Sequence, residues 1–244
     1  ITTDEGNVRE FIHGSRATNP VDQWPDPDVY VNYMGQSLSG SENRNINRTY
    51  PGKADGTLTE MMSYGIVQLI NTENIDVTVD LHEASPEYPV INALIAHERA
   101  MNLASNVVVD MQMEGVQISL EPSPTDLRGL THRELGDHTD TLALLMEAPN
   151  PAQGRLRDRT DEALVLTGKS ETYVKAGEIG QLYVPYDENG WPIEVRCARH
   201  VFGIERILAN YSEMYEEPII VTGMPSYDEL VKNGMGPYLN EPTT

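Results

Sequence analysis

Two residues combine titratable chemistry with a position where folds deliver functional groups. His82 closes the alternating stretch Ile75-Asp76-Val77-Thr78-Val79-Asp80-Leu81-His82 and shares a strand face with Asp80. An imidazole so placed is a candidate metal ligand, because a carboxylate can hold one ring nitrogen and orient the other. An ordinary hydrogen-bonded histidine explains the same residue. Glu147 ends the apolar run Leu142–Met146 and stands directly before Ala148-Pro149-Asn150-Pro151. A charged group there is costly unless it is solvated, paired or near a metal, so Glu147 reads as a salt-bridged strand end or as part of a site. Other titratable clusters carry weaker patterns. His132, Glu134, Asp137 and His138 lie close together, but their intervals differ from a helical zinc motif such as His-Glu-x-x-His. His97-Glu98 fits a helix start, and His13 and His200 belong to no recognisable pattern.

The elements that must position these residues follow from periodicity. Thr57 and Glu60 have capping-box spacing and predict a helix that ends near Asn71–Asn74. Leu58, Met61, Met62, Ile66, Leu69 and Ile70 are expected on its one apolar face. The alternation through His82 predicts a strand with Ile75, Val77, Val79 and Leu81 on one side and Asp76, Thr78, Asp80 and His82 on the other. A second helix is expected near 97–113, a short strand over Val116–Leu120, and a strand buried on both faces over Leu142–Met146. Residues 159–180 read as mostly helical, Tyr183–Pro192 as turns, and Cys197–Tyr211 as a last helix. Alternating strands and helices predict an α/β fold with a mixed, mostly parallel sheet flanked by helices. Ligands in such sheets bind beyond the carboxyl ends of the strands, where His82 and Glu147 are expected.

The stretch Asn47-Arg48-Thr49-Tyr50-Pro51-Gly52 resembles the Asn-Arg-x-aromatic-Pro-Gly motif of the succinylglutamate desuccinylase and aspartoacylase branch of the zinc metallocarboxypeptidase superfamily. In order, Val79-Asp80-Leu81-His82 is similar to the strand bearing that family's third zinc ligand, and Leu145-Met146-Glu147 to the strand delivering its catalytic glutamate. Gly180–Pro185 and the helix from Cys197 match loosely. The resemblance implies a zinc-dependent hydrolase that cleaves an amide bond next to a carboxylate, on an N-acyl amino acid or at a peptide C-terminus. His82 would bind the zinc. Glu147 would take a proton from the attacking water and hand it to the leaving nitrogen. Arg48 would hold a substrate carboxylate with its planar fork, with a hydrogen bond from Asn47. Arg44 fits an oxyanion role less well. Asn47-Arg48-Thr49 and Asn210-Tyr211-Ser212 also match the glycosylation sequon; a glycan on Asn47 would block the implied pocket.

The family's first two zinc ligands form a His-x-x-Glu upstream of the Asn-Arg pair, and residues 1–46 contain none. The expected organisation is therefore the C-terminal portion of one carboxypeptidase-like domain over 1–215, with 1–56 mostly loop and 216–244 an irregular tail. A separate segment or chain would supply His-x-x-Glu, and the portion alone would be inactive. The alternative is a relative that binds carboxylates without turnover, or serves as a scaffold. The net charge of -21 argues against nucleic acid or anionic membranes as partners. Cys197 has no disulfide partner within the chain and is expected in the core.

Overall fold

The computed structural model describes residues 25–157 and 161–239. In chain order its elements are β1 (Val29–Val31), β2 (Ser37–Ser39), α1 (Leu58–Glu73), β3 (Val77–Ala84), β4 (Ala93–Ala96), α2 (Met101–Met113), β5 (Ser119–Pro122), α3 (Thr131–His138), β6 (Leu142–Pro149), α4 (Glu162–Thr167), α5 (Glu171–Glu178), α6 (Ile193–Tyr215) and α7 (Tyr227–Asn233). The described residues fall into two compact units, one with 25–78 and 123–143, the other with 79–122, 144–157 and 161–239. Among the described residues no helix is long and apolar enough to cross a membrane.

In the first unit, α1 opens as its spacing predicts. The Thr57 hydroxyl accepts from the Glu60 N–H at 3.3 Å, and the Glu60 carboxylate accepts from the Thr57 N–H at 2.8 Å. Glu60 also accepts from the Tyr30 hydroxyl at 3.0 Å. Thr57→Ala removes half of this reciprocal pair and is expected to cost about 1 kcal/mol, read as a lower urea midpoint with an unchanged slope. The buried face of α1 differs from the predicted one. Thr59, Glu60, Ser63, Val67 and Ile70 are buried, whereas Leu58, Met61, Met62 and Leu69 are exposed. Small hydroxyl residues made the difference: Thr49 and Ser63 bond side chain to side chain at 2.6 Å, which draws that polar face of α1 inward. Val67 and Ile70 then join Tyr50, Leu135 and Ala143 in one cluster. β1 and β2 form a short antiparallel hairpin inside the stretch expected to be loop. Strands of three residues each give alternation too little length to show. Of the stretch 1–56 expected to be mostly loop, residues 1–24 lie outside the described residues.

β3, β6, β4 and β5 form one sheet in that order. β4 runs parallel to β5 and antiparallel to β6. Asp76 O accepts from Leu142 N at 2.7 Å and Ala84 O from Asn150 N at 2.7 Å. Both partners advance together, so β3 and β6 are parallel and the sheet is mixed but mostly parallel, as expected. β6 is central and buried along Ala143–Met146, as its unbroken apolar run predicts. Among the described residues β3 is an edge strand, and its expected apolar face is not buried: Val77 and Val79 are half-buried and Leu81 is 45% exposed. In the second unit α2 turns Leu103, Ala104, Val107, Val108 and Met111 inward. α6 starts at Ile193, earlier than predicted, directly after Pro192, which stands at the N-cap without a side-chain capping bond. It passes close to β6 at Gly203, where an added Cβ would collide with the Met146 thioether.

Two further differences concern the chain's later part. The helical stretch expected over 159–180 is broken into α4 and α5 by Gly168, whose φ of 60 favours glycine; the residues of that stretch before 161 are outside the described set. The tail expected to be irregular from 216 contains α7. Ser226 and Glu229 form its capping box and Leu230 is fully buried. The same spacing rule that located α1 applies here, on a helix too short for periodicity to reveal.

Candidate functional site

The site grows from the β3–β6 ladder. In a parallel pair, an N–H bonds to the carbonyl one residue before its opposite number. The two bonds from Leu142 and Asn150 therefore set 77 opposite 142 and 85 opposite 150, which sets 82 opposite 147. His82 and Glu147 thus emerge side by side on one face near the carboxyl ends of adjacent parallel strands. His82 Nδ1 lies 3.8 Å from Glu147 Oε2, and His82 Nε2 lies 2.9 Å from Asp80 Oδ2. With Asp80 accepting from Nε2–H, Nδ1 carries the ring's lone pair and faces Glu147. The structure brings together the predicted His82 and Glu147, with Asp80 as the orienting carboxylate.

Burial pushes the Glu147 carboxyl from its usual 4.5 up to about 7; His82 opposes the rise, while Asp80 and Glu83 add to it. A carboxyl held near neutrality is matched to general acid–base work, and such tuning clusters at functional sites.

The opposite face of β3 explains how His82 is held. Glu83 Oε1 accepts from Arg196 Nη1 at 2.6 Å, and Glu83 Oε2 accepts from Asn150 Nδ2 at 2.6 Å. Arg196, on α6, is fully buried and also donates to the Val165 carbonyl. His200, one turn further along α6, hydrogen-bonds the His82 backbone, and burial lowers its pKa. These residues clamp the end of β3 to β6 and α6. Sequence reading missed Glu83, Arg196 and His200, because α6 and β3 are far apart in the chain. The one local signal is Glu83 itself, a charge at a position where alternation calls for an apolar side chain.

Asn47 and Arg48 belong to the other unit, and each has local work there. Asn47 Oδ1 accepts from both the N–H and the hydroxyl of Thr131, at 2.7 and 2.8 Å, which fixes the start of α3. Arg48 Nη1 donates to the Asn47 carbonyl at 2.6 Å, and Arg48 Nε lies 3.9 Å from Glu42. Elsewhere in the motif, Thr49 and Tyr50 are buried, and Gly52 has a φ of 83 where a Cβ would strike the α1 backbone. Arg44 forms a two-pronged pair with Asp26, at 2.7 and 2.8 Å, so its guanidinium is committed to a carboxylate.

The cluster on α3 is an ion-pair network. Glu134 accepts two bonds from Arg128 at 2.7 Å and lies 3.3 Å from His138, while Arg133 and Asp137 pair at 2.9 Å. The sequon at Asn210 is buried, with its amide donating to Asp110 at 2.8 Å, which leaves no room for a glycan. Cys197 is half-buried and its thiol is pushed up by burial. His97 is buried and caps the turn before α2 through the Arg99 N–H. His13 lies outside the described residues.

Among the described residues no group of three His, Cys, Asp or Glu side chains could hold a metal ion. A catalytic zinc normally needs three protein ligands. One imidazole with an orienting carboxylate is a suitable portion of such a site, but the residues present do not complete it. No family model matches the chain, and no curated protein and no solved structure matches it either.

Proposed function

We propose that this chain carries the acid–base part of a hydrolase that cleaves an amide bond next to a carboxylate, in the manner of the zinc carboxypeptidase-like deacylases its motifs resemble. One observation carries the reading: Glu147, its carboxyl near neutrality, stands directly opposite His82 on adjacent parallel strands, and Asp80 fixes the imidazole. Glu147 takes a proton from water as the water attacks the amide carbonyl, then returns it to the nitrogen that leaves. Asp80 keeps His82 in the tautomer whose lone pair faces that reaction. Zinc, where bound, would polarise the carbonyl and acidify the water. Its remaining ligands are assigned to a His-x-x-Glu carried by a separate segment or chain.

The incomplete ligand set favours a second reading, a relative that binds carboxylates without turnover. The intact native protein, with any co-purifying chain, separates the two. N-acyl amino acids and short peptides are assayed side by side, and metal is quantified on the same sample. The expected result is hydrolysis of one class with about one zinc per complete protein. Neither turnover nor metal would leave the second reading.

A further inference from the structure

α6 carries a second buried arginine whose surroundings differ from those of Arg196. Arg199 is 6% exposed and forms a wall of a cavity of about 290 Å³, together with Trp191, Tyr227, Pro185 and Asp187. None of Asp80, His82 and Glu147 lines it. The Arg199 guanidinium lies over the Trp191 ring, 5.5 Å from its centroid. It donates to the Gln117 carbonyl and hydrogen-bonds the Tyr227 side chain. All these partners are neutral. Arg196 and Arg133, the other fully enclosed arginines, each meet a carboxylate, Glu83 and Asp137 respectively. Arg199 has no such pairing among the described residues. Burial accordingly works against its charge and lowers its pKa.

A cation taken out of water without a counter-ion is costly, and buried charges are normally paired. Stacking on an aromatic ring offsets part of that cost. The remainder is recoverable by an anion that enters the cavity and meets the guanidinium, whose planar fork suits a carboxylate. The other walls choose among anions. Trp191 and Tyr227 give the cavity aromatic walls, which favour a planar body over a compact hydrated ion. Asp187 stands at the cavity with its carboxylate turned to the Asn189 N–H at 2.8 Å, and it disfavours a second negative charge. The volume lies at the lower edge of the range for ligand pockets, about 300–1,000 Å³, which suits a single ring.

We propose that the cavity between Trp191, Arg199 and Tyr227 binds a small monocarboxylate with a planar apolar body, its carboxylate on Arg199 and its ring against the two aromatic side chains. The site is independent of Glu147, and its test needs no turnover. The chain has two tryptophans, Trp24 and Trp191, so in a Trp24→Phe background fluorescence reports on Trp191 alone. Benzoate, its neutral counterpart benzamide and inorganic phosphate are titrated into that protein. Benzoate is expected to give a saturable change, with benzamide at least about tenfold weaker, the share a charge-assisted pair contributes, and phosphate weaker than benzoate. Arg199→Met should abolish the benzoate response and Arg199→Lys should keep part of it. The comparison of benzoate with benzamide stands even if the buried variant fails to fold. Equal binding of the two, tighter binding of phosphate, or no saturation by about 10 mM benzoate overturns the proposal, as does full benzoate affinity in a folded Arg199→Met protein.

Discussion

Glu147→Gln is expected to reduce amide hydrolysis by the complete protein by about 10²–10⁴-fold, while the protein without metal becomes more stable at neutral pH. Both effects have one cause. The Glu147 carboxyl sits against the buried end of β6, and desolvation lifts it to about 7. For catalysis the base must be ionised to accept a proton, so kcat/KM should rise with pH along an ascending limb, and the glutamine variant should lose that limb altogether. For stability the sign runs the other way. The unfolded carboxyl ionises near 4.5, whereas the folded one holds its proton to about 7. Between those values the folded state binds more protons, so stability is lost as pH rises, and the loss is complete above the folded value. The shift corresponds to a penalty on the order of 3 kcal/mol. Urea unfolding of the metal-free wild type and variant should therefore differ little near pH 4, with the variant gaining by pH 8. A difference that does not change with pH would remove the buried-carboxyl account. Persisting turnover in the variant would remove the general base.

Where local rules govern, the sequence was a reliable guide. Alternation located β3, an unbroken apolar run located β6, and the two together foretold that His82 and Glu147 would reach the same end of a sheet. The register that sets 82 opposite 147 was not legible, because a ladder is chosen by packing between strands and not by either strand alone. The same limit explains α1. Its large apolar residues suggested an inward face, yet hydrogen-bonded Thr49 and Ser63 drew the other side in, and Leu58, Met62 and Leu69 remained exposed. β3 shows the same limit: alternation marks two faces but does not tell whether anything covers them. The Asn47–Gly52 motif was read for chemistry. The structure shows what it does for the fold, with Asn47 fixing α3 and Gly52 fitting against α1.

The pair Glu83–Arg196 carries the second large effect. Arg196 is wholly enclosed, and its bonds to Glu83 and to the Val165 carbonyl tie α6 both to the strand that presents His82 and to α4. Arg196→Met keeps much of the side-chain volume and removes the charge, which leaves Glu83 in a largely enclosed setting with the Asn150 amide still donating to it at 2.6 Å. Breaking one side of a buried pair costs about 3–5 kcal/mol, and Glu83, which retains some solvent contact, sets the expectation at the lower end. For a chain of this size each kcal/mol lowers Tm by roughly 2–4 °C, so calorimetry should show a fall of roughly 6–12 °C. The double variant Glu83→Gln with Arg196→Met removes both charges and should recover much of the loss, because a buried pair replaced as a whole is often neutral. A single variant that costs less than about 1 kcal/mol would mean that water reaches the pair, and β3 would then owe its position to the ladder with β6 and not to α6. Activity separates the two cases further. If α6 holds the strand end, the single variant should lower kcat in the folded protein, since His82 is bonded through its own backbone to His200 on that helix, and the double variant should restore stability more fully than it restores rate.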